Sequence, residues 1–71
     1  MANEKNLTVE EADIIFAIAR CDMVRERVSR DLYYHRNTLR CKEKRIKEKT
    51  GLDPYKFYDL VELLDMAEEV G

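Results

Sequence analysis

The segment from residue 24 to residue 49, VRERVSRDLYYHRNTLRCKEKRIKEK, decides the fold of this chain. Its first part places three apolar residues four apart, the spacing of one helical face: Val24, Val28 and Leu32. The polar run that follows lacks this spacing. The pattern returns with Leu39 and Ile46, seven apart, among strong helix formers. The segment therefore predicts a short helix, a tight turn and a longer basic helix at about 35–49, which is the arrangement of a helix-turn-helix.

Capping signals before this segment predict where the neighbouring helices begin. Thr8 and Glu11 have the spacing of a capping box just before an apolar run, so a first helix is expected over about 9–20. Asp22 is a suitable N-cap for the short helix that follows.

Signals after the basic helix predict a fourth helix. Gly51 is suited to end the basic helix in a left-handed conformation, and Asp53-Pro54 then supplies an N-cap followed by proline. This helix is expected over about 54–69. One of its sides would be apolar through Phe57, Leu60, Val61, Leu64 and Ala67.

Together these elements predict a small all-α, four-helix domain that contains a helix-turn-helix. We expect a flexible N-terminus over 1–8 and one domain over 9–71, with the motif at about 22–50. The length of 71 residues is too short for two domains, and two Gly and one Pro are too few turn residues for an all-β fold. A content of 45% hydrophobic residues is too high for disorder.

Other classes are excluded by simple features of the chain. No apolar run approaches the roughly 18 residues of a membrane span, and the first residues do not resemble a signal peptide. Cys21 and Cys41 are too few for a disulfide framework and, with the single His35, do not have the spacing of a zinc site. We therefore expect a cytoplasmic, nucleoid-associated protein without metal or cofactor.

Charge is distributed unevenly along the chain. The net charge is −2, yet Arg20 to Lys49 holds eleven basic and five acidic residues, a net charge of +6, while the remainder holds two basic and ten acidic residues. A basic middle between acidic ends favours a surface that binds a polyanion. An ordinary solvated charged face is the alternative.

The motif residues resemble a known family. Leu32 to Arg40, LYYHRNTLR, followed by Arg45-Ile46 and by Thr50 to Asp53, TGLD, resembles the C-terminal helix-turn-helix of PucR-type bacterial regulators. A looser similarity exists to the factor for inversion stimulation. The resemblance implies a bacterial or phage DNA-binding transcription regulator whose partner is double-stranded DNA. The sensor region of those regulators has no counterpart in the 71 residues, so no small-molecule ligand is expected.

The chain departs from the family pattern at two positions of the basic helix. Glu43 and Lys49 stand where the family usually has leucines. We therefore expect this helix to anchor less apolar surface, so that its hold on the core is looser or is completed by another subunit.

The polar residues fall into two predicted groups, because a helix in the major groove contacts bases with its first turns while surrounding groups bind phosphates. Asn pairs with adenine and Arg with guanine, each with about 1–3 kcal/mol of discrimination. The predicted base contacts are Arg36, Asn37, Arg40, Cys41 and Lys44. The predicted phosphate contacts are Arg25, Arg27, Arg30, Tyr33, His35, Thr38, Lys42, Arg45 and Lys47. His35 is alternatively a cap of the basic helix, and Tyr34 is expected at the rim of the core.

Catalysis has no support in the sequence. There is no Gly-rich phosphate loop and no evident pair of a nucleophile and a base, so a non-enzyme is expected, with no catalytic residue.

A homodimer is expected, because one helix-turn-helix contacts too few base pairs for specific affinity. Apolar residues beyond the predicted faces offer a dimer interface: Ile14, Phe16, Tyr58, Leu63 and Met66. Two further functions stay open, an architectural or recombination accessory protein that bends DNA and a helical adaptor that binds another protein.

Overall fold

The structure, a computed structural model, describes residues 7–70. Over these residues the chain forms four helices without a strand, which confirms the predicted all-α fold. The helices are α1 (Val9–Arg20), α2 (Arg25–Leu32), α3 (Arg36–Thr50) and α4 (Phe57–Val70). None of them is long and apolar enough to cross a membrane.

α1 begins at the predicted capping box. The hydroxyl of Thr8 accepts a hydrogen bond from the Glu11 backbone N–H at 3.1 Å, and Oε1 of Glu11 accepts one from the Thr8 N–H at 3.0 Å. These two bonds satisfy donors that a helix start otherwise leaves open. Leu7, directly before the cap, is only 5% exposed. The other part of the N-terminal segment that was expected to be flexible, residues 1–6, lies outside the described residues.

The connection from α1 to α2 contains two residues with left-handed backbone. Asp22 and Met23 have φ of 55° and 61°, and the Met23 N–H donates to the Ile18 carbonyl at 2.9 Å across the end of α1. The N-cap of α2 is therefore Val24, which forms no side-chain cap bond. The prediction that Asp22 caps α2 was wrong, because Asp22 lies three residues before the first residue of α2 and Val24 occupies the N-cap position.

α4 begins later than predicted. Asp53 does cap, but it caps a turn: its carboxylate accepts from the Tyr55 N–H at 2.9 Å, while Asp59 accepts from the Asp53 N–H at 3.0 Å. Pro54 is buried within this turn, and helical structure starts only at Phe57. The Asp-Pro signal identified the right region but not the first helical residue.

The core is built around α1, which packs against each of the other three helices. Because it has neighbours on several sides, α1 buries more than one apolar stripe. The large side chains that are fully buried are Ile14, Ile15, Ile18, Val28, Leu39, Ile46 and Leu63.

This core corrects the predicted dimer interface. Ile14 and Leu63 have no exposed surface, since both are needed inside the single chain, while Phe16 and Met66 are partly buried against the core. Of the five predicted residues only Tyr58, at 83%, is largely exposed.

The buried face of α4 is also rotated from the predicted one. Leu60, Leu63 and Ala67 face the core, whereas Phe57 and Val61 are 62% and 49% exposed. Phe57 packs on Tyr58 with ring centroids 5.4 Å apart in an edge-to-face arrangement. An apolar patch of Phe57, Tyr58 and Val61 thus remains on the outside.

Candidate nucleic-acid interface

The turn between α2 and α3 is three residues long and is closed by hydrogen bonds. The Tyr34 N–H donates to the Ser29 carbonyl at 3.1 Å, and the Ser29 hydroxyl donates back to the Tyr34 carbonyl. Tyr33, at the C-cap of α2, has φ of 59°, a conformation that costs most non-glycine residues about 1 kcal/mol or more. Its side chain is 94% exposed at the surface of the motif.

His35 is the N-cap of α3. Its Nδ1 accepts a hydrogen bond from the Asn37 backbone N–H at 3.2 Å. This is the capping role foreseen for an imidazole at this place, and it fixes the start of the basic helix at Arg36.

α3 is anchored from below by two residues and is polar above. Leu39 and Ile46 are fully buried, and Gly51, with φ of 75°, ends the helix as predicted. The predicted base contacts are all exposed: Arg36, Asn37, Arg40, Cys41 and Lys44. Helical geometry places the last four away from the anchor residues, whereas Arg36 lies one turn before Leu39 on the same side of the helix. α4 packs on α1 and not on α3, so the acidic C-terminal helix does not cover this face.

A groove runs between α2 and the first half of α3. It is lined mostly by polar and basic side chains from both helices: Arg25, Glu26, Ser29, Arg30, His35, Arg36, Asn37 and Arg40. The groove therefore brings predicted base contacts and predicted phosphate contacts together on one side of the motif.

Ion pairs with α1 divide the basic residues of α3 into two sets. Lys42 Nζ lies 2.8 Å from Glu10 and Lys49 Nζ lies 2.7 Å from Glu11, on the flank of α3 that faces α1. The hydrogen bond from Lys42 lowers the pKa of Glu10, and the same bond raises the pKa of Lys42. The Lys42 amine is therefore held apart from the other predicted phosphate contacts.

Three further pairs lie outside the groove, and all of their residues except the half-buried Asp53 are exposed. Arg20 pairs with Asp31, Arg27 with Asp22 at 3.6 Å, and Lys47 with Asp53 at 3.9 Å. Exposed pairs of this kind contribute little to stability.

Five basic residues of the middle segment take part in no salt bridge with any described residue. All five are exposed, and four of them lie on α3: Arg30, Arg36, Arg40, Lys44 and Arg45. Uncompensated positive charge is thus concentrated on α3 and the end of α2, where an anion would be attracted most strongly.

The two departures from the family pattern are both satisfied within the chain. Glu43 is only 5% exposed and accepts hydrogen bonds from Arg25 Nε at 2.8 Å and from the Tyr55 hydroxyl. Lys49 donates to Glu11 at 2.7 Å. A polar network thus stands where the family usually has apolar side chains, and α3 anchors less apolar surface, as expected.

Tyr55 was missed by the sequence analysis. Its ring lies under the Arg25 guanidinium, 4.5 Å from ring centroid to Cζ, and burial together with the Glu43 hydrogen bond raises its pKa. One signal was available: Glu43 is four residues after Leu39 and three before Ile46, hence on the buried face, where a carboxylate requires partners.

The remaining predicted residues lie as follows. Tyr34 is half-buried at the rim of the core, as expected, and donates to Glu10 at 3.2 Å. Thr38 is exposed beside the flank that faces α1. Both cysteines are free thiols, and within residues 7–70 no three potential ligands cluster as a metal site would require.

Comparison with known proteins identifies the family. The family model described as the PucR C-terminal helix-turn-helix domain matches residues 13–66, and the chain belongs to this family. The match covers α1 from its second turn, the whole α2–turn–α3 unit and most of α4. Neither the curated proteins nor the solved structures gave a significant match.

Proposed function

We propose that this chain is a sequence-specific DNA-binding regulator of transcription that inserts α3 into the major groove. One observation carries the proposal: Asn37, Arg40 and Lys44 are exposed on the side of α3 away from the buried Leu39, and neither Arg40 nor Lys44 has a salt-bridge partner among the described residues. Arg36, also exposed and without such a partner, lies beside them in the first turn. Membership in a helix-turn-helix family supports α3 as the recognition helix.

Specificity would come from the first two turns of α3. Asn37 is suited to adenine, Arg36 and Arg40 to guanine, and Cys41 can contact the methyl group of thymine. Lys44, one turn further, completes the set. The phosphate contacts that surround this face would be Arg25, Arg27, Arg30, Tyr33, His35, Thr38, Arg45 and Lys47.

A homodimer would place two recognition helices about 34 Å apart on a two-fold symmetric site. Ile14 and Leu63 belong to the core, and the patch of Phe57, Tyr58 and Val61 is an exposed apolar surface on which self-association would occur. This patch lies on α4, which does not contact α2 or α3, so its occupation would leave the motif accessible.

The test is selection of bound oligonucleotides from a random pool, followed by footprinting and a salt titration. We expect an enriched, two-fold symmetric motif and binding that weakens steeply with salt concentration. Salt-dependent binding without an enriched motif would favour the architectural alternative. Absence of DNA binding at low salt would contradict both and favour the adaptor.

A further inference from the structure

Arg25 occupies a special position at the start of α2. It lines the groove between α2 and the first half of α3, and it also lines the adjacent depression formed by α3 and the turn before α4. Its side chain is 42% exposed, so part of the guanidinium faces solvent while part contacts the protein.

The buried part of Arg25 is held in two directions. Nε donates to Glu43 at 2.8 Å, and the guanidinium plane lies over the Tyr55 ring at 4.5 Å. Glu43 is in turn fixed, because its second carboxylate oxygen accepts from the Tyr55 hydroxyl. An Arg side chain loses considerable rotamer freedom when it binds a ligand, and here most of that freedom is already lost in the free protein.

The chemistry of the guanidinium leaves it competent to bind an anion. It carries five N–H donors, and the hydrogen bond to Glu43 uses the one on Nε. Donors on the terminal nitrogens remain for a phosphate beside the contact that Arg25 makes with the Tyr55 side chain. Arg30 and Arg36 line the same groove and form no salt bridge with a described residue.

On the proposed function as premise, we propose that Glu43 and Tyr55 are positioning residues for DNA binding: they hold the Arg25 guanidinium ready to bind a backbone phosphate beside the first turn of α3. Glu43 does not touch DNA. It acts through Arg25, and its negative charge strengthens binding because it fixes the contact geometry.

This proposal makes a prediction opposite in sign to simple electrostatics. Removing a negative charge from α3 should raise the affinity for a polyanion. Removing Glu43 should instead lower it, because Arg25 loses its fixed orientation. Glu48 supplies the matched control, since it lies on the same helix, is exposed and forms no salt bridge with a described residue.

The experiment measures the affinity of the full chain for the selected oligonucleotide at fixed salt. Glu43→Leu places an apolar side chain of similar size in the buried site, and we expect affinity to fall about five- to tenfold. Glu48→Gln should raise affinity about twofold. Tyr55→Phe keeps the ring but removes the hydroxyl that fixes Glu43. Its affinity should lie between that of the native chain and that of Glu43→Leu.

A double-mutant cycle then separates positioning from a general structural effect. In the Arg25→Ala background, Glu43→Leu should no longer lower the affinity for DNA. In the native background, Glu43→Gln should bind DNA more tightly than Glu43→Leu, because glutamine keeps an oxygen that can accept from Arg25. A rise in affinity for Glu43→Leu, or an equal loss with and without Arg25, would overturn the proposal. If the native chain itself binds no DNA, the proposed function fails instead, which is a different result.

Discussion

The ion pair between Glu11 and Lys49 shows how one buried side chain serves two purposes. Glu11 is 5% exposed and sits at the third position of α1, where it completes the capping box with Thr8 and also accepts from Lys49, near the end of α3. Burial opposes the charged carboxylate, but the bonds from Lys49 and Thr8 outweigh it and leave the pKa of Glu11 lowered. A single carboxylate therefore joins the start of one helix to the end of another.

The lowered pKa gives a pH-dependent prediction for Glu11→Gln. A carboxyl whose pKa is lower in the folded state stabilises the fold above its unfolded pKa of about 4.3, and this contribution is lost as pH falls through the folded pKa. Glutamine keeps the capping box and removes the charge. We expect the variant to be less stable by about 1–2 kcal/mol at pH 7, and the difference to shrink below pH 4.

Urea unfolding of both proteins at pH 7 and pH 3.5 measures this difference. Glu10→Gln is the control, because the Glu10 side chain is 56% exposed and its pair with Lys42 lies in solvent. A constant difference between the native chain and Glu11→Gln at both pH values would contradict the argument.

Two basic residues of α3 should affect DNA binding differently. Arg40→Ala should remove preference for one base pair, a loss of about 1–3 kcal/mol for the best site and little for random DNA. Lys47→Ala should weaken binding to all sequences about equally and reduce the salt slope by roughly one. Affinities for the selected site and for a scrambled one, each over a salt series, check both. If Arg40→Ala loses equal affinity for the selected and the scrambled site, Arg40 belongs among the phosphate contacts.

At the scale of elements, the helix ends differ in how far the sequence determines them. Three helix ends lie where a capping residue nearby in the sequence predicts them. Thr8 begins α1, His35 begins α3 and Gly51 ends α3. α4 begins three residues late because Asp53 and Asp59 hydrogen-bond to backbone in a turn. Asp53 could cap either a helix or a turn. The hydrogen bond from its N–H to Asp59 favours the turn, and the sequence pattern does not show where the Asp59 side chain lies in space.

The cap at His35 predicts a stability effect confined to the start of α3. His35→Ala removes the acceptor for the Asn37 N–H and should cost about 1 kcal/mol. It should also weaken DNA binding, because Arg36 and Asn37 lie in the first turn. His35→Ser restores a capping oxygen and should recover the stability. Thermal unfolding and amide hydrogen exchange at Asn37 and Thr38 provide the measurement, and an unchanged exchange rate in His35→Ala would show that the cap is unimportant.

At the scale of the molecule, α1 separates two surfaces of opposite charge. α4 carries five acidic residues and no basic one, and it packs on α1 without contacting α2 or α3. The basic motif therefore stays uncovered although the whole chain has a net charge of −2. The separation of charge along the sequence predicted this. The packing of the helices could not be predicted from the sequence in this way. Periodicity does not show that α1 contacts three other helices. For this reason Ile14 and Leu63 were predicted in a dimer interface and not in the core.

That correction leads to a prediction that distinguishes the core of one chain from a contact between two. Ile14→Ala creates a cavity among fully buried side chains and should lower the free energy of unfolding by about 2–4 kcal/mol. Tyr58→Ser changes an exposed side chain and should leave that free energy within about 0.5 kcal/mol. If the chain forms a dimer through the patch of Phe57, Tyr58 and Val61, Tyr58→Ser should shift it toward monomer at equal concentration.

Sedimentation equilibrium over a range of micromolar concentrations, paired with urea unfolding of each variant, resolves the two effects. An exposed aromatic residue contributes strongly to association when a partner buries it, but it contributes little to the stability of the single chain. Ile14→Ala should therefore change stability, whereas Tyr58→Ser should change self-association. A monomeric native chain at high micromolar concentration would contradict dimerisation without DNA, and a large loss of stability in Tyr58→Ser would assign this patch to the fold. Unchanged self-association in Tyr58→Ser, with a dimeric native chain, would move the interface away from α4.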